Sequence, residues 1–175
     1  LQFCFDEMGI PMDSVLKSAS TKWNFNNYHP GLVGGHCVPV DPYYLIDEAK
    51  KFSTNLPLIA QSRKTNEAAV ANFYRKILNK LTSPYTSSYV LIIGLSFKPD
   101  VQDIRNSQVP PLKRMLEQNG VKVDVYDPSV KAEVAKNSFG IDLLKKIPSF
   151  DNYHLIVSPY DLSIKKGGKY SSSLS

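Results

Sequence analysis

Cys37 stands within the stretch from Asn27 to Leu45, NYHPGLVGGHCVPVDPYYL, among residue types that can make a thiol reactive. Gly34 and Gly35 precede it and carry no Cβ, so backbone or ligand can approach the sulfur closely. His36 could tune or orient the thiol, and Asp41, four residues on, could serve as a base for water. The thiolate is the nucleophile, and a helix N-terminus or a cation favours it. DPYYLIDEAKKF predicts such a helix, with Asp41 as N-cap and Pro42 at its first position. A buried, inert cysteine is the competing reading, which spacing alone does not remove. His29, His36 and Cys37 match no common zinc spacing, so no metal is expected.

Trp23, Phe25, Tyr28 and His29 lie just upstream, a mix suited to holding a sugar or base and equally to packing beneath the loop. A second group follows the apolar run YVLIIGL. There Gly94 leads into LSFKPDVQDIRNS, which lacks the G-x-G-x-x-G turn of a dinucleotide site. Lys98 and Arg105 could reach phosphate oxygens at the carboxyl end of a strand. Alternatively, they pair with Asp100 and Asp103 at the surface. Asp127 could hold a ribose hydroxyl or cap the turn before Pro128.

The elements that must position these residues divide at TSPYTSS, giving an expected central helical segment over 1–82 and a second domain over 88–175. In the first segment, residues 1–8 form the tail of a helix ended by Gly9 and Pro11, with Cys4 in the core. Asp13 caps a short helix to Ala19, and residues 20–39 form an ordered loop. A long helix follows Asn55, with Leu58, Ile59, Ser62, Asn66, Ala69, Val70, Phe73, Ile77 and Leu81 on one face. Arg63 and Asn66 fit its exposed surface.

In the second domain YVLIIGL reads as a strand covered on both faces. SQVPPLKRMLEQNG is a helix with prolines in its first turn, VKVDVYDP a second strand and HLIVSPYD a third. Residues 131–139 form a further helix and 141–147 a weaker element. The fold class is therefore α/β, a helical segment followed by a Rossmann-like parallel sheet. KKGGKYSSSLS reads as a trailing, disordered end.

Composition narrows the function classes. The net charge of +5, from 21 basic and 16 acidic residues, is scattered, apart from three Lys-Lys pairs. A nucleic-acid stripe would need clustering with interleaved aromatics. The longest apolar run, Val90 to Leu95, is far shorter than the roughly 18 residues of a membrane span. Two cysteines, each expected as a free thiol, fit a reducing cytoplasm. The start, LQFCFDEMGIP, has neither initiator methionine nor leader and reads as that of a cut piece.

TKWNFNNYHPGLVGGHCVPVDPYYL resembles the catalytic cysteine segment of the UDP-glucose/GDP-mannose dehydrogenase family, and GLSFKPDVQDIRNS with VDVYDP resembles that family's UDP-binding half. The resemblance extends to about Ile147. GGHC followed by VDPYYL is similar to the branch acting on UDP-N-acetylhexosamines, since UDP-glucose enzymes typically carry lysine where Val40 stands.

The resemblance implies oxidation of the sugar C6 alcohol to a carboxylate with two NAD in turn. Cys37 would attack the aldehyde, and water would cleave the later thioester with help from Asp41. Asn26, Tyr28, Gly31, Gly34 and Gly35 would wrap the sugar and phosphates, Phe97 and Lys98 would meet the nucleotide sugar, and Arg105 would support the site. Arg63 and Asn66 match the family's pattern on the helix leading to the second half, implying a structural or nearby role. The family's NAD-binding domain is not in this sequence, so the chain alone should not turn over. A homodimer through the central helices is implied for the full-length protein, as is a product for capsule, O-antigen or other surface glycan. A UDP-sugar-binding module without catalysis and a thiol hydrolase using Cys37 are the rival readings.

Overall fold

The structure is a computed structural model that describes residues 1–167; the last part of the expected trailing end, 168–175, lies outside the described residues. The chain forms two compact units, Leu1–Gly31 and a second that begins at Leu32.

The first unit contains α1 (Gln2–Glu7) and α2 (Met12–Ala19). Asp13 is not the N-cap: Pro11 holds that position, in extended backbone, and Asp13 lies in the first turn, where a carboxylate complements the helix dipole. Cys4 is exposed rather than core, because the six-residue α1 buries none of its residues.

In the second unit, α3 (Asp41–Lys51) is followed by α4 (Pro57–Leu78), and the two helices pack together. Asp41 is the first helical residue instead of the cap; Val40 takes the cap position, and no side chain bonds there. The buried face of α4 runs through Arg63, Ala69, Val70, Phe73 and Ile77. Leu58 and Ser62, expected on that face, are exposed, because it passes from Ile59 through Arg63 at the next turn.

The sheet has the order β2-β1-β3-β4. Strands β1 (Tyr89–Ile93), β2 (Lys122–Tyr126) and β3 (Leu155–Ser158) are parallel, with Ile92 level with Val125 on one side and Val157 on the other. Helix α5 (Val109–Gln118) begins Val-Pro, where a missing N–H breaks no helical bond, and α6 (Ala132–Phe139) ends at Gly140 in the left-handed region, φ 68°. Helix α5 packs on α4 and β2, and its Leu112 and Leu116 are fully buried, each contributing roughly 1.5–3 kcal/mol of burial. Leu91, Tyr153 and Ile156 form another cluster, flanked by Tyr126, Leu144 and Phe150.

β4 (Ser163–Lys166) joins antiparallel to β3 and was not expected. Its sequence, SIKK, has one large apolar residue and no run, so only pairing with the edge of β3 makes it a strand. The weaker element expected at 141–147 is a single bridge between Leu143 and Val125.

Candidate functional site

Cys37 and Asp41 come together because the turn between them is nearly helical. The Cys37 carbonyl accepts from the N–H of Val40 at 2.9 Å and of Asp41 at 2.8 Å, so the thiol sits one turn ahead of α3. The cysteine is exposed and not a buried core residue, and its Sγ lies 3.0 Å from Nδ1 of His36. Cys37 and Asp41 line one open cleft of about 530 Å³, together with Leu45, Ile59 and Ser62.

The two glycines make room for the protein's own residues. A Cβ on Gly34 would lie 2.7 Å from the Asn106 carbonyl oxygen and 2.9 Å from Cβ of Phe97; Gly35, at φ 86°, packs against the Phe97 ring. The Gly35 N–H donates to the Arg105 carbonyl at 2.9 Å, and the Asn106 side-chain amide donates to the Gly35 carbonyl at 2.9 Å. The loop after β1 is thus stitched to the cysteine loop. Asn106 itself has a positive φ of 52°, tolerated by asparagine better than by most residues. The sequence reading missed it.

Arg105 makes a two-pronged ion pair with Asp103, Nε to Oδ1 at 3.0 Å and Nη2 to Oδ2 at 2.6 Å. Those bonds hold the Asp103 carboxyl down to about 2. Of the two readings of Arg105, the surface pair is the one observed. Lys98 is exposed, with its ammonium 5.5 Å from the centroid of the Phe97 ring.

Asp127 is 5% exposed, and its Oδ2 accepts from Leu95 N at 2.7 Å, Ser96 N at 3.0 Å and Ser96 Oγ at 3.1 Å, while Oδ1 accepts from Ser129 N at 2.9 Å. It clamps the turn after β1 and caps its own turn, so the ribose reading gives way to the turn-capping one. Tyr160 completes the clamp through Ser96 Oγ at 2.7 Å, and burial pushes its phenol up to about 12. A Cβ on Gly94 would lie 2.6 Å from the Tyr160 ring. Gly94 thus makes room for Tyr160, and the turn that follows, LSFKPD, lacks the further glycines of a dinucleotide-binding turn.

Arg63 is buried, not on the exposed surface of α4. Its Nη1 donates to the Val38 carbonyl at 2.7 Å, and Asn66, one turn on, reaches the Val33 carbonyl at 3.5 Å. A charged residue in a helical pattern ordinarily signals solvent, and only the loop's path over α4 reverses that.

Asn26, Tyr28 and Gly31 lie in the first unit. Tyr28 and Trp23 are 77% and 89% exposed, so neither is packed beneath a loop. Among the described residues no group of three or more His, Cys, Asp or Glu could hold a metal ion, and no helix is long and apolar enough to cross a membrane.

Comparison with known proteins matches residues 91–163 to the UDP-glucose/GDP-mannose dehydrogenase family, UDP binding domain, and residues 1–68 to the central domain of that family. UDP-N-acetyl-D-glucosamine 6-dehydrogenase of Pseudomonas aeruginosa is 41% identical over 144 residues, 81% of this chain and 34% of that protein. The Salmonella typhi protein of the same name is 33% identical over 171 residues, 96% of this chain and 40% of that one. Among solved structures, the UDP-D-ManNAc dehydrogenase of Pyrococcus horikoshii superposes with a TM-score of 0.72 at 26% identity, covering 91% of this chain and 37% of that chain. The chain therefore spans between a third and two fifths of the length of these relatives.

Proposed function

The chain belongs to the UDP-glucose/GDP-mannose dehydrogenase family, and we propose that it is the nucleotide-sugar half of an NAD-dependent enzyme oxidising C6 of a UDP-N-acetylhexosamine to the uronic acid. The observation that carries this reading is the open cleft shared by an exposed Cys37 and Asp41. Val40 ahead of Asp41 and relatives named for UDP-N-acetylhexosamines support the substrate class.

In this reading the Cys37 thiolate adds to the carbonyl carbon of the C6 aldehyde, forming a C–S bond and a hemithioacetal oxygen. Covalent attachment keeps a reactive aldehyde from leaving. After oxidation to the thioester, water adds to the acyl carbon, Asp41 takes its proton, and the C–S bond breaks to return the thiolate. The hydride acceptor, NAD, is assigned to no residue of this chain, because the turn after β1 lacks the glycine pattern that holds a dinucleotide. The isolated chain therefore holds the nucleotide sugar without turnover.

Lys98, Phe97 and Arg105 face the nucleotide sugar in this proposal, and Gly34 and Gly35, with Asn26, Tyr28 and Gly31, form the wrapping loop. The functional division is 1–82 and 88–175, supported by the separate family matches. A homodimer through the central helices is supported by Tyr44, Leu45, Phe52 and Leu58, which are 70%, 54%, 74% and 83% exposed on α3, α4 and their connection. The free cysteines support a reducing, cytoplasmic setting.

The test is calorimetric titration of the folded chain with UDP-N-acetylglucosamine, UDP and NAD separately. Saturable binding of both UDP ligands without NAD binding is expected; a folded chain that binds no UDP ligand overturns the reading.

A further inference from the structure

His36, Cys37 and Val38 are exposed where the chain leaves the buried Gly34 and Gly35, so something must fix where the sulfur stands. The bond nearest the sulfur from the α4 side comes from Arg63, a residue only 6% exposed, whose Nη1 donates at 2.7 Å to the carbonyl of Val38, the residue directly after Cys37. The Arg63 Nε is buried and has no hydrogen-bond partner. A buried guanidinium is costly unless its interactions offset the lost hydration, and a methionine would fill the same helix face without that penalty. Stability alone is a poor reason for arginine here.

The neighbours of Arg63 point to the same loop. Its charge also reaches the phenol of Tyr43 on α3, which donates to Glu67, one turn beyond Arg63 on α4. Asn66 takes the Val33 carbonyl at 3.5 Å, and Asn106, from the loop after β1, takes the Gly35 carbonyl at 2.9 Å. The hexapeptide Val33 to Val38 is therefore held at its two ends from α4 and in its middle from the sheet domain. Of these anchors only Arg63 is both charged and next to the reactive residue.

We propose that Arg63 is a positioning residue for Cys37, holding the carbonyl of Val38, the next residue, so that the sulfur stays against His36 at the mouth of the cleft. This rests on Cys37 being the nucleophile proposed above, yet it is tested on the thiol itself. A sulfur no longer held beside His36 at the cleft mouth changes both its hydrogen-bond partner and its approach to an electrophile.

The experiment is iodoacetamide labelling of this chain near neutral pH, with the rates at Cys37 and Cys4 followed separately by peptide mass spectrometry. Cys4 is exposed on α1 and serves as the internal reference. Arg63→Met is expected to lower the Cys37-to-Cys4 rate ratio by about threefold to tenfold, as loss of one charge-assisted bond would, and Arg63→Lys to recover much of it. An unchanged or raised ratio in folded Arg63→Met, or no recovery with lysine, overturns the proposal. Should Arg63→Met not fold, Arg63→Lys is compared with Arg63→Gln, and equal ratios in the two overturn it. The ratio is read without ligand, so a failure of UDP-sugar binding would sink the proposed function and leave this result standing.

Discussion

Asn106 holds the peptide two residues ahead of the thiol: its side-chain amide donates to the Gly35 carbonyl at 2.9 Å, while the Gly35 N–H donates to the carbonyl of Arg105. Asn106→Ala is expected to cost about 1 kcal/mol, the net worth of one such bond, seen as a lower urea midpoint with unchanged slope. An unaltered midpoint would show that the two loops are held elsewhere.

Gly34 is closed to any side chain by backbone, not by a movable side-chain tip, since an added Cβ would stand 2.7 Å from the Asn106 carbonyl oxygen. Gly34→Ala should therefore destabilise the chain by about 1–3 kcal/mol through overpacking. Thermal unfolding indistinguishable from the parent would contradict this geometry.

Lys98 is exposed and leans on Phe97, an arrangement that leaves its ammonium able to meet a diphosphate. Lys98→Ala should weaken UDP binding by about 1.5–3 kcal/mol if the contact is charge-assisted. Equal affinities in calorimetry would remove Lys98 from the site.

Cys37→Ala, placed in the full-length parent, is expected to abolish NADH formation and leave UDP-sugar affinity nearly unchanged, because the thiol acts in bond making and not in holding the nucleotide. Normal turnover by this variant would refute the assignment.

Tyr160 carries a pH dependence. Its phenol, at about 12 in the folded chain against 10.0 ordinarily, stays protonated when the unfolded chain has ionised. The stability it contributes is whole below pH 10 and falls as the pH climbs through the folded value. Tyr160→Phe should flatten the decline of the urea midpoint between about pH 10 and 12. A decline as steep as the parent's would place the alkaline transition on other groups.

The elements were legible where one pattern dominated. YVLIIGL announced a strand covered on both faces, and Val90, Leu91 and Ile92 are fully buried. The prolines of VPPLKRM marked the start of α5. Local cues misled where a boundary depended on one residue: Asp13 and Asp41 have the chemistry of caps but stand inside their helices, because Pro11 and Val40 took the cap positions. SIKK gave no sign of β4, whose backbone partners lie on β3.

The site divides along the same line. Residue types and spacing determined by themselves that Cys37 has a histidine beside it and a carboxylate one helical turn on, since both relations are local and survive in any fold that begins a helix at Asp41. Only the tertiary structure decided that Gly34 and Gly35 make room for Phe97 and Asn106, that Asp127 is spent on clamping backbone N–H groups, that Asp103 takes Arg105, and that Arg63 turns inward to Val38. All but the Asp103–Arg105 pair join residues roughly 25 to more than 60 positions apart, and even that local pair left two readings of Arg105 open. A side chain's type limits which bonds it can make; which partner comes within reach is fixed by how α4 and the sheet are packed.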